Sequence, residues 1–188
     1  MKIRTTIFFV FLFCTASFSQ EIPQGDYWVC PKKSKLSYQV THPFHKVIAT
    51  THEIEGRALT TSSQGDIMIR VPVASFNSEN SNRDAHMKEV VEVHQFPYVE
   101  FRGTIHSDKI EKGNVQGKIL FHGVEKEIAT KVSVDKIGDQ LQTKISFQIS
   151  LESFKINRPS LLFVKIEDEA KIEGDFTFVK SENRATCK

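Results

Sequence analysis

Histidine is the residue type that most suggests chemistry in this chain. Three of the seven histidines are close together in sequence, at His42, His45 and His52, and the first two flank Pro43 near the end of a predicted strand. Imidazole nitrogens bind metals such as zinc, and they act as general acids or bases near neutral pH. One interpretation is therefore a small His-dependent enzyme or metal-binding protein that uses His42, His45 or His122 at a barrel mouth.

The other residues that could do chemistry form no familiar catalytic or metal motif. His86 and His94 are eight positions apart, which on a helix separates their side chains by two turns, too far to chelate one metal together. The sequence lacks a Gly-x-Ser-x-Gly elbow, a phosphate-binding glycine loop, a paired-cysteine zinc motif and a His-Glu-x-x-His motif. Because isolated histidines usually make ordinary hydrogen bonds, we expect no catalytic residues, no metal and no enzymatic activity.

Residues 1–20 have the features of a secretory signal peptide. The segment MKIRTTIFFVFLFCTASFSQ begins with Lys2 and Arg4, continues with an apolar run over 7–14 and ends in small residues. The apolar run is too short for a membrane-spanning helix. We predict cleavage near residues 19–21, loss of Cys14 with the peptide, and one mature domain over 21–188 that is periplasmic or secreted.

The mature chain has a balanced charge. Lys2 and Arg4 are lost with the signal peptide, which leaves as many basic residues as the 23 acidic ones. No cluster of Lys and Arg remains that could follow a phosphate backbone, so nucleic acid is not an expected partner. No second apolar stretch approaches membrane-spanning length, so we expect no transmembrane anchor in the mature form.

Two cysteines remain after the signal peptide, one near each end of the mature chain. Cys30 and Cys187 suggest a disulfide that ties the two ends together, because exported proteins form disulfides in oxidising compartments. The alternative is that they are two unrelated thiols on frayed ends.

Alternation of apolar and polar residues dominates the chain from Ser34 onward and predicts long antiparallel strands. We treat 163–179 as one such alternating segment. A chain with many strands must protect its sheet edges, and closure into a barrel protects them all. We therefore predict an all-β, antiparallel barrel of about eight strands, with a two-sheet sandwich as the competing architecture. In a barrel the first and last strands are neighbours, which would bring the two cysteines within bonding reach.

One stretch, NRDAHMKEVVEVHQFPYVEF at 82–101, interrupts the alternation. Its apolar residues recur at the three- and four-residue spacing of a narrow helical stripe: Met87, Val90 and Val91. Ser81 or Asn82 is the predicted cap, Asp84 lies in the first turn, and Pro97 prevents continuation. We predict one short helix that lies across the barrel or over one mouth.

Several ordered motifs resemble the YceI-like family of bacterial exported proteins. FNSENSNRDAHMKEVVEVHQFPYVEFRG resembles the family's signature helix and the strand that follows, GKILFHGVEKEIATKV resembles its hairpin, and SKLSYQVTH fits its opening strand. A glycine-rich segment of the family is replaced here by PFHKVIATTHEIEGRA. The matching positions are Asn80, Arg83, Asp84, His86, Met87, Phe96, Pro97, Phe101, Gly117, Leu120, His122, Gly123, Val124 and Lys126.

The resemblance implies a lipocalin-like barrel in the periplasm of a Gram-negative bacterium, enclosing in some family members a polyisoprenoid or another long-chain amphiphile. No cofactor is implied apart from an isoprenoid or fatty-acid-like lipid. The matched motif is expected to attach the helix to the barrel rim, and its residues are Asn80, Arg83, Asp84, His86, Pro97, His122 and Gly123.

We therefore predict a non-enzymatic protein that sequesters or carries an isoprenoid or fatty-acyl ligand inside the barrel. An aliphatic lining desolvates such a chain at about 0.8 kcal/mol per buried methylene. A third interpretation is a barrel filled by its own side chains that serves as a partner-binding module. Strand parity alone selects the lining candidates Tyr38, Val40, Ile69, Val71, Phe101, Leu120, Phe147, Ile149 and Phe176.

Overall fold

The structure is a computed structural model that describes residues 23–106, 114–161 and 163–187. Within these residues the chain forms twelve strands and one α-helix. The strands are β1 (Gly25–Val29), β2 (Lys35–His42), β3 (His45–Thr51), β4 (Glu55–Thr60), β5 (Gln64–Pro72), β6 (Tyr98–His106), β7 (Asn114–Phe121), β8 (Val124–Ile137), β9 (Gln140–Ser150), β10 (Ser160–Leu161), β11 (Val164–Lys165) and β12 (Glu169–Lys180), and the helix is α1 (Ser81–Val90).

Eight of these strands close into an antiparallel barrel. Neighbouring strands pair in the order β1-β4-β5-β6-β7-β8-β9-β12, and β12 pairs back with β1 through Phe178 and Val29. The predicted barrel is confirmed, and closure leaves no free edge in this ring. β2 and β3 extend it, since β2 pairs with the first half of β12 and β3 pairs with β2.

Two long extended segments near the start of the chain are each interrupted. A single 3-10 turn, Pro31–Lys33, separates β1 from β2, and residues 52–54 separate β3 from β4. The segment 45–59, which alternates as one strand would, therefore bends in the middle. β4 pairs with β5 along its length, whereas β3 pairs with β2. A single antiparallel bridge joins Thr50 of β3 to Asn77, which follows β5 in the chain.

Helix α1 lies where β3 and β5 part. Its cap is Asn80 rather than the predicted Ser81 or Asn82, because the Asn80 side-chain oxygen accepts a hydrogen bond from the Arg83 amide at 3.1 Å. Met87 packs against both main groups of buried apolar side chains, and Val90 packs against one of them. The helix is therefore attached to the barrel through the predicted apolar stripe.

The last alternating segment is not one strand. Val164 and Lys165 form β11, which pairs only with β10 in a short hairpin, and β12 begins at Glu169. We call residues 158–167, of which Leu162 and the side chain of Leu161 are not described, the flap. Ile166 still faces the barrel interior, whereas Val164 is exposed. The alternation of apolar and polar residues in the sequence continues through the break although the facing of the side chains does not, which is why the sequence pattern does not reveal it.

The two ends of the barrel chain are covalently joined. Cys30 and Cys187 form a disulfide, with their Cα atoms 5.0 Å apart, and this confirms the predicted bridge. Cys30 directly follows β1, and Cys187 ends a 3-10 segment that directly follows β12. The bridge therefore reinforces the strand pair that closes the ring.

The predicted signal peptide lies outside the described residues. Among the helices of the part that is described, none combines the length and the apolar composition that crossing a membrane requires.

Candidate functional site

The barrel encloses a cavity of about 400 Å³ lined almost entirely by hydrocarbon side chains. Its walls are the inward faces of the strands, with α1 and the base of the flap on one side. Eight of the predicted lining residues contact it, namely Tyr38, Val40, Ile69, Val71, Phe101, Phe147, Ile149 and Phe176. A barrel of eight strands has an interior that side chains can fill, so a cavity of this size needs a structural cause.

Leu120 is the exception among the predicted lining residues. It lies on the outer face of β7 with 40% of its surface exposed, while Ile119 and Phe121 on either side of it line the cavity. Residues 119–121 are all apolar, so residue type could not determine the parity of this strand. The inward face is revealed by register, because Gly117 and Ile119 pair with Gly103 and Phe101 of β6.

Other lining residues were missed. Several share a strand face with a predicted residue and could have been found by the same parity, namely Ile67, Ile145, Ile172 and Phe178. Ile166 also has the parity of Phe176 within the alternating segment 163–179. A second group comes from α1 and from the chain between β9 and β10, where no strand periodicity points inward: Met87, Val90, Ile156 and Pro159.

Glycines beneath aromatic rings help to keep the cavity open. The Phe101 ring lies over Gly103 and Gly117, so that a Cβ atom placed on Gly117 would be 2.5 Å from it. The Phe176 ring lies over Gly174 in the same way, where a Cβ atom would be 2.7 Å from the ring. Because these rings occupy the space that side chains on the glycines would fill, they stay close to the wall and leave the centre empty.

The polar groups that line the cavity are few. Arg83 and His86 of α1, together with His45 at the start of β3, are lining side chains that can carry positive charge, and His42 at the end of β2 is a further polar lining residue. Tyr38 of β2 is another polar lining residue, with its ring 5.2 Å from that of Phe76. Burial raises the pKa of the Tyr38 phenol to about 12, with a further contribution from the Asp84 carboxylate. The phenol is therefore neutral at physiological pH.

Two residues of the sequence motif at the start of α1 form hydrogen bonds with the buried Ser78. Arg83 donates from Nε to the Ser78 hydroxyl at 2.8 Å and from Nη2 to the Ser78 carbonyl at 2.6 Å. Asp84 accepts from the Ser78 amide at 3.1 Å and from its hydroxyl at 2.5 Å. Because the neighbouring Asn77 exchanges backbone hydrogen bonds with Thr50, these contacts attach the helix to β3. Arg83 and Asp84 thus have structural partners.

His42 is also held by structural hydrogen bonds. It is 3% exposed, its Nε2 atom is 3.0 Å from the Val164 carbonyl, and the Phe44 amide donates to its Nδ1 atom at 3.3 Å. A carbonyl can only accept and an amide can only donate, so the ring is a neutral tautomer with its proton on Nε2. His45 is exposed, and its ring is 5.3 Å from that of His42.

His122 lies outside the cavity and joins three parts of the chain. Its Nδ1 atom is 2.9 Å from the Phe154 carbonyl, and its Nε2 atom is 2.8 Å from a carboxylate oxygen of Glu92. Its ring packs edge-on against Phe96, and Phe96 also occupies the space beside Gly123, where a Cβ atom would be 2.7 Å from that ring. His122 therefore connects the hairpin of β7 and β8 to the segment after α1.

The structure does not bring the histidines into one reactive site. His52 is bonded through Nδ1 to the Ser34 carbonyl at 2.7 Å, and His86 is exposed, 3.9 Å from Glu89. Pro97, another residue of the predicted motif, has a structural contact as well, because its carbonyl accepts a hydrogen bond from the Val73 amide at 2.9 Å. In the ranges that the structure describes, no group of three or more His, Cys, Asp or Glu side chains is arranged to hold a metal ion. The cavity is thus the candidate site.

Comparison with known proteins gives a consistent result. The model of the YceI-like domain matches residues 27–178. BcnA of Burkholderia cenocepacia has a similar structure, with a TM-score of 0.69 and 16% identity, over 79% of this chain and 98% of that one. A polyisoprenoid binding domain from Saccharophagus degradans, implicated in plant cell wall breakdown, has a TM-score of 0.71 and 12% identity, over 82% of this chain and 98% of that one. No curated protein matches this chain significantly in sequence.

Proposed function

The chain belongs to the YceI-like family, and on that premise we propose that it is an exported, non-enzymatic protein that encloses one hydrophobic long-chain molecule, an isoprenoid or a fatty-acyl chain, inside its barrel. The observation that carries the proposal is the cavity of about 400 Å³ with its hydrocarbon lining. This volume is within the range of about 300–1,000 Å³ that small-molecule sites occupy.

The lining selects for an extended apolar molecule. Each methylene that leaves water for such a lining contributes about 0.8 kcal/mol, so affinity grows with chain length until the cavity is full. A ligand with a charged group in the middle would lose the hydration of that group, because hydrocarbon surrounds most of the cavity. A polar head group belongs beside His45, Arg83 and His86, the lining side chains that can carry positive charge.

Two further observations support parts of the proposal. The structurally similar domain from Saccharophagus degradans is a polyisoprenoid binding domain, which favours an isoprenoid over other apolar molecules. The Cys30–Cys187 disulfide suits an oxidising compartment, and together with the signal-peptide features of residues 1–20 it supports a periplasmic or secreted location.

Native mass spectrometry and organic extraction of the purified protein test the proposal. We expect a co-purifying lipid or, after delipidation, uptake of a fluorescent long-chain lipid. Val40 and Ile172 line the cavity and are only partly buried, so the added volume of Val40→Trp/Ile172→Trp enters the open space. This variant should bind the lipid on the order of tenfold more weakly, because it occupies the space of several methylenes.

Gln39→Trp is the matched control. Gln39 is the neighbour of Val40 on β2, and the alternation of that strand places it on the opposite face. Its uptake should equal that of the wild type. The proposal fails if nothing co-purifies and no long-chain lipid enters the delipidated protein, or if both tryptophan variants take up lipid as well as the wild type does.

A further inference from the structure

Two hairpin tips at one end of the barrel carry apolar side chains that nothing in the described chain covers. Phe44 at the turn between β2 and β3 is 67% exposed, and Phe163 at the turn of the flap is fully exposed. Val164, next to Phe163, is also exposed. Large apolar side chains at the tips of hairpins stabilise no core, so their exposure indicates a surface that meets an apolar environment.

The two tips are held together. The Phe44 ring packs against the His42 ring, with 5.2 Å between their centroids, and the buried His42 donates from Nε2 to the Val164 carbonyl at 3.0 Å. At the base of the flap the Glu167 amide donates to the Thr41 carbonyl at 2.8 Å. One histidine thus fixes the position of both tips, and they lie on the same end of the barrel.

Residues of both hairpins line the ligand cavity. His42 and His45 contribute from the β2–β3 hairpin, and Pro159, Ser160 and Ile166 contribute from the flap. The exposed tips therefore stand directly outside that part of the cavity wall where the two hairpins meet. A molecule that passed between the hairpins would leave the cavity beside Phe44 and Phe163.

Each tip also carries a lysine at the same spacing from its phenylalanine. The β2–β3 turn contains Phe44-His45-Lys46, and the flap contains Phe163-Val164-Lys165. Both lysines are exposed. Segments that bind the surface of anionic membranes combine two kinds of side chain. Their aromatic side chains enter the boundary between head groups and acyl chains, and their lysines lie at the level of the head groups. Glu167 belongs to the base of the flap, where its amide is bonded to Thr41.

We propose that Phe44, Phe163 and Val164, with Lys46 and Lys165, dock this end of the barrel on the surface of an anionic lipid bilayer. Docking places the junction of the two hairpins against the membrane, so that a water-insoluble ligand passes between bilayer and cavity without crossing water. This inference rests on the proposed function, because a ligand that dissolves in water would need no such contact.

Vesicle flotation tests the docking surface. Residues 1–20 are omitted, because the apolar run at 7–14 would itself bind lipid. The shortened chain is mixed with vesicles of phosphatidylethanolamine and phosphatidylglycerol. We expect Phe44→Ser/Phe163→Ser to lower the partition coefficient on the order of tenfold, because binding scales with the apolar area buried. Lys46→Gln/Lys165→Gln should remove most of the dependence on phosphatidylglycerol.

Leu59→Ser/Met68→Ser is the matched control. Both side chains are about half exposed and lie on the wall strands β4 and β5, away from either hairpin. This variant should float as the wild type does, and circular dichroism melts should be unchanged for all three variants, because every substituted side chain is on the surface. The docking proposal is overturned if the wild type does not bind these vesicles, or if the control loses as much binding as the tip variant.

Two lipid donors separate this inference from the proposed function. Fluorescent lipid delivered from cyclodextrin should enter the tip variant normally, whereas delivery from vesicles should be slower on the order of tenfold, in line with its weaker partitioning. The opposite pattern is expected for Val40→Trp/Ile172→Trp, which should bind vesicles normally and take up lipid poorly from either donor. Vesicle binding without uptake by the wild type contradicts the proposed function, and uptake without vesicle binding contradicts the docking surface.

Discussion

At the scale of single residues, the histidines illustrate how the same side chain suits reaction chemistry and architecture. His42 joins the two hairpins and His122 joins the β7–β8 turn to the segments around Glu92 and Phe154. Both are among the buried polar residues, and both use their two ring nitrogens in hydrogen bonds. A buried imidazole with two partners is a strong structural link, because the loss of either partner leaves a polar atom unpaired.

We predict that His122→Asn lowers the free energy of unfolding by about 1–3 kcal/mol, the cost of leaving a buried polar group without its hydrogen bond. The change preserves the turn, because His122 and Gly123 have φ of 50° and 71°, and Asn-Gly is a favoured pair where both φ values are positive. Glu92 is 53% exposed, so most of the loss should come from the unpaired Phe154 carbonyl. Urea denaturation measures the difference.

His94→Asn is the matched control for this prediction, since His94 is exposed in the turn after α1. Its unfolding free energy should be within about 0.5 kcal/mol of the wild type. Equal stability of the two variants would show that His122 contributes no more than a surface histidine.

At the scale of elements, a few polar contacts hold the base of the flap. Asp168 accepts the Glu152 amide at 2.8 Å, and Arg158 pairs with Glu152 at 2.8 Å while it donates to the Ile166 carbonyl. A hydrogen bond from the Ser150 hydroxyl, followed by that from the Glu152 amide, lowers the pKa of the Asp168 carboxyl below its ordinary value of 3.8. The ionised carboxylate therefore stabilises the base of the flap.

The pH dependence follows from the direction of this shift. The stabilising contribution of Asp168 is complete above its ordinary pKa of 3.8 and is lost as pH falls through its lower folded value. We predict that Asp168→Asn reduces the unfolding free energy by about 1 kcal/mol at pH 7, the net value of a hydrogen bond, and that its difference from the wild type shrinks in acid. Denaturation curves between pH 7 and about pH 2 measure both effects.

Glu169→Gln serves as the control for the acid effect, because Glu169 is exposed and adjacent in sequence. Its stability relative to the wild type should change little over this pH range. A constant difference between Asp168→Asn and the wild type at every pH would contradict the assigned role of the carboxylate.

At the scale of the whole molecule, closure of the ring by β1 and β12 is reinforced by a disulfide that spans 157 residues. In the chain-entropy account, a loop of this length restricts the unfolded chain by about 5 kcal/mol. We predict that Cys30→Ser/Cys187→Ser lowers the unfolding free energy by up to about that amount, and that circular dichroism of the variant still shows a β-barrel at low temperature.

Reduction of the wild type provides the comparison for this variant. Dithiothreitol should lower the melting temperature of the wild type to that of Cys30→Ser/Cys187→Ser and should leave the variant unchanged. If the oxidised and reduced wild type melt together, the bridge does not stabilise the ring.

The amino-acid sequence by itself determined the inward face of five strands, β2, β5, β6, β9 and β12. Alternation is a local property, and it selected eight cavity residues, from Tyr38 to Phe176, without knowledge of any strand pairing. Residues 119–121 show the limit of the method, since three consecutive apolar residues leave the inward face undecided and Leu120 was assigned to the wrong side. Two cysteines in a chain whose first twenty residues have signal-peptide features likewise indicated the disulfide before the ends of the barrel were known to meet.

Only the tertiary structure decided whether the barrel is hollow. Alternation shows which residues face inward but not what lies opposite them, and the open centre depends on Phe101 lying over Gly103 of its own strand and Gly117 of the next. The roles of His42 and His122 were decided in the same way, because their partners Val164, Glu92 and Phe154 are 30 or more positions away in the chain. Contacts across such distances arise from strand register and chain closure, which no local pattern contains.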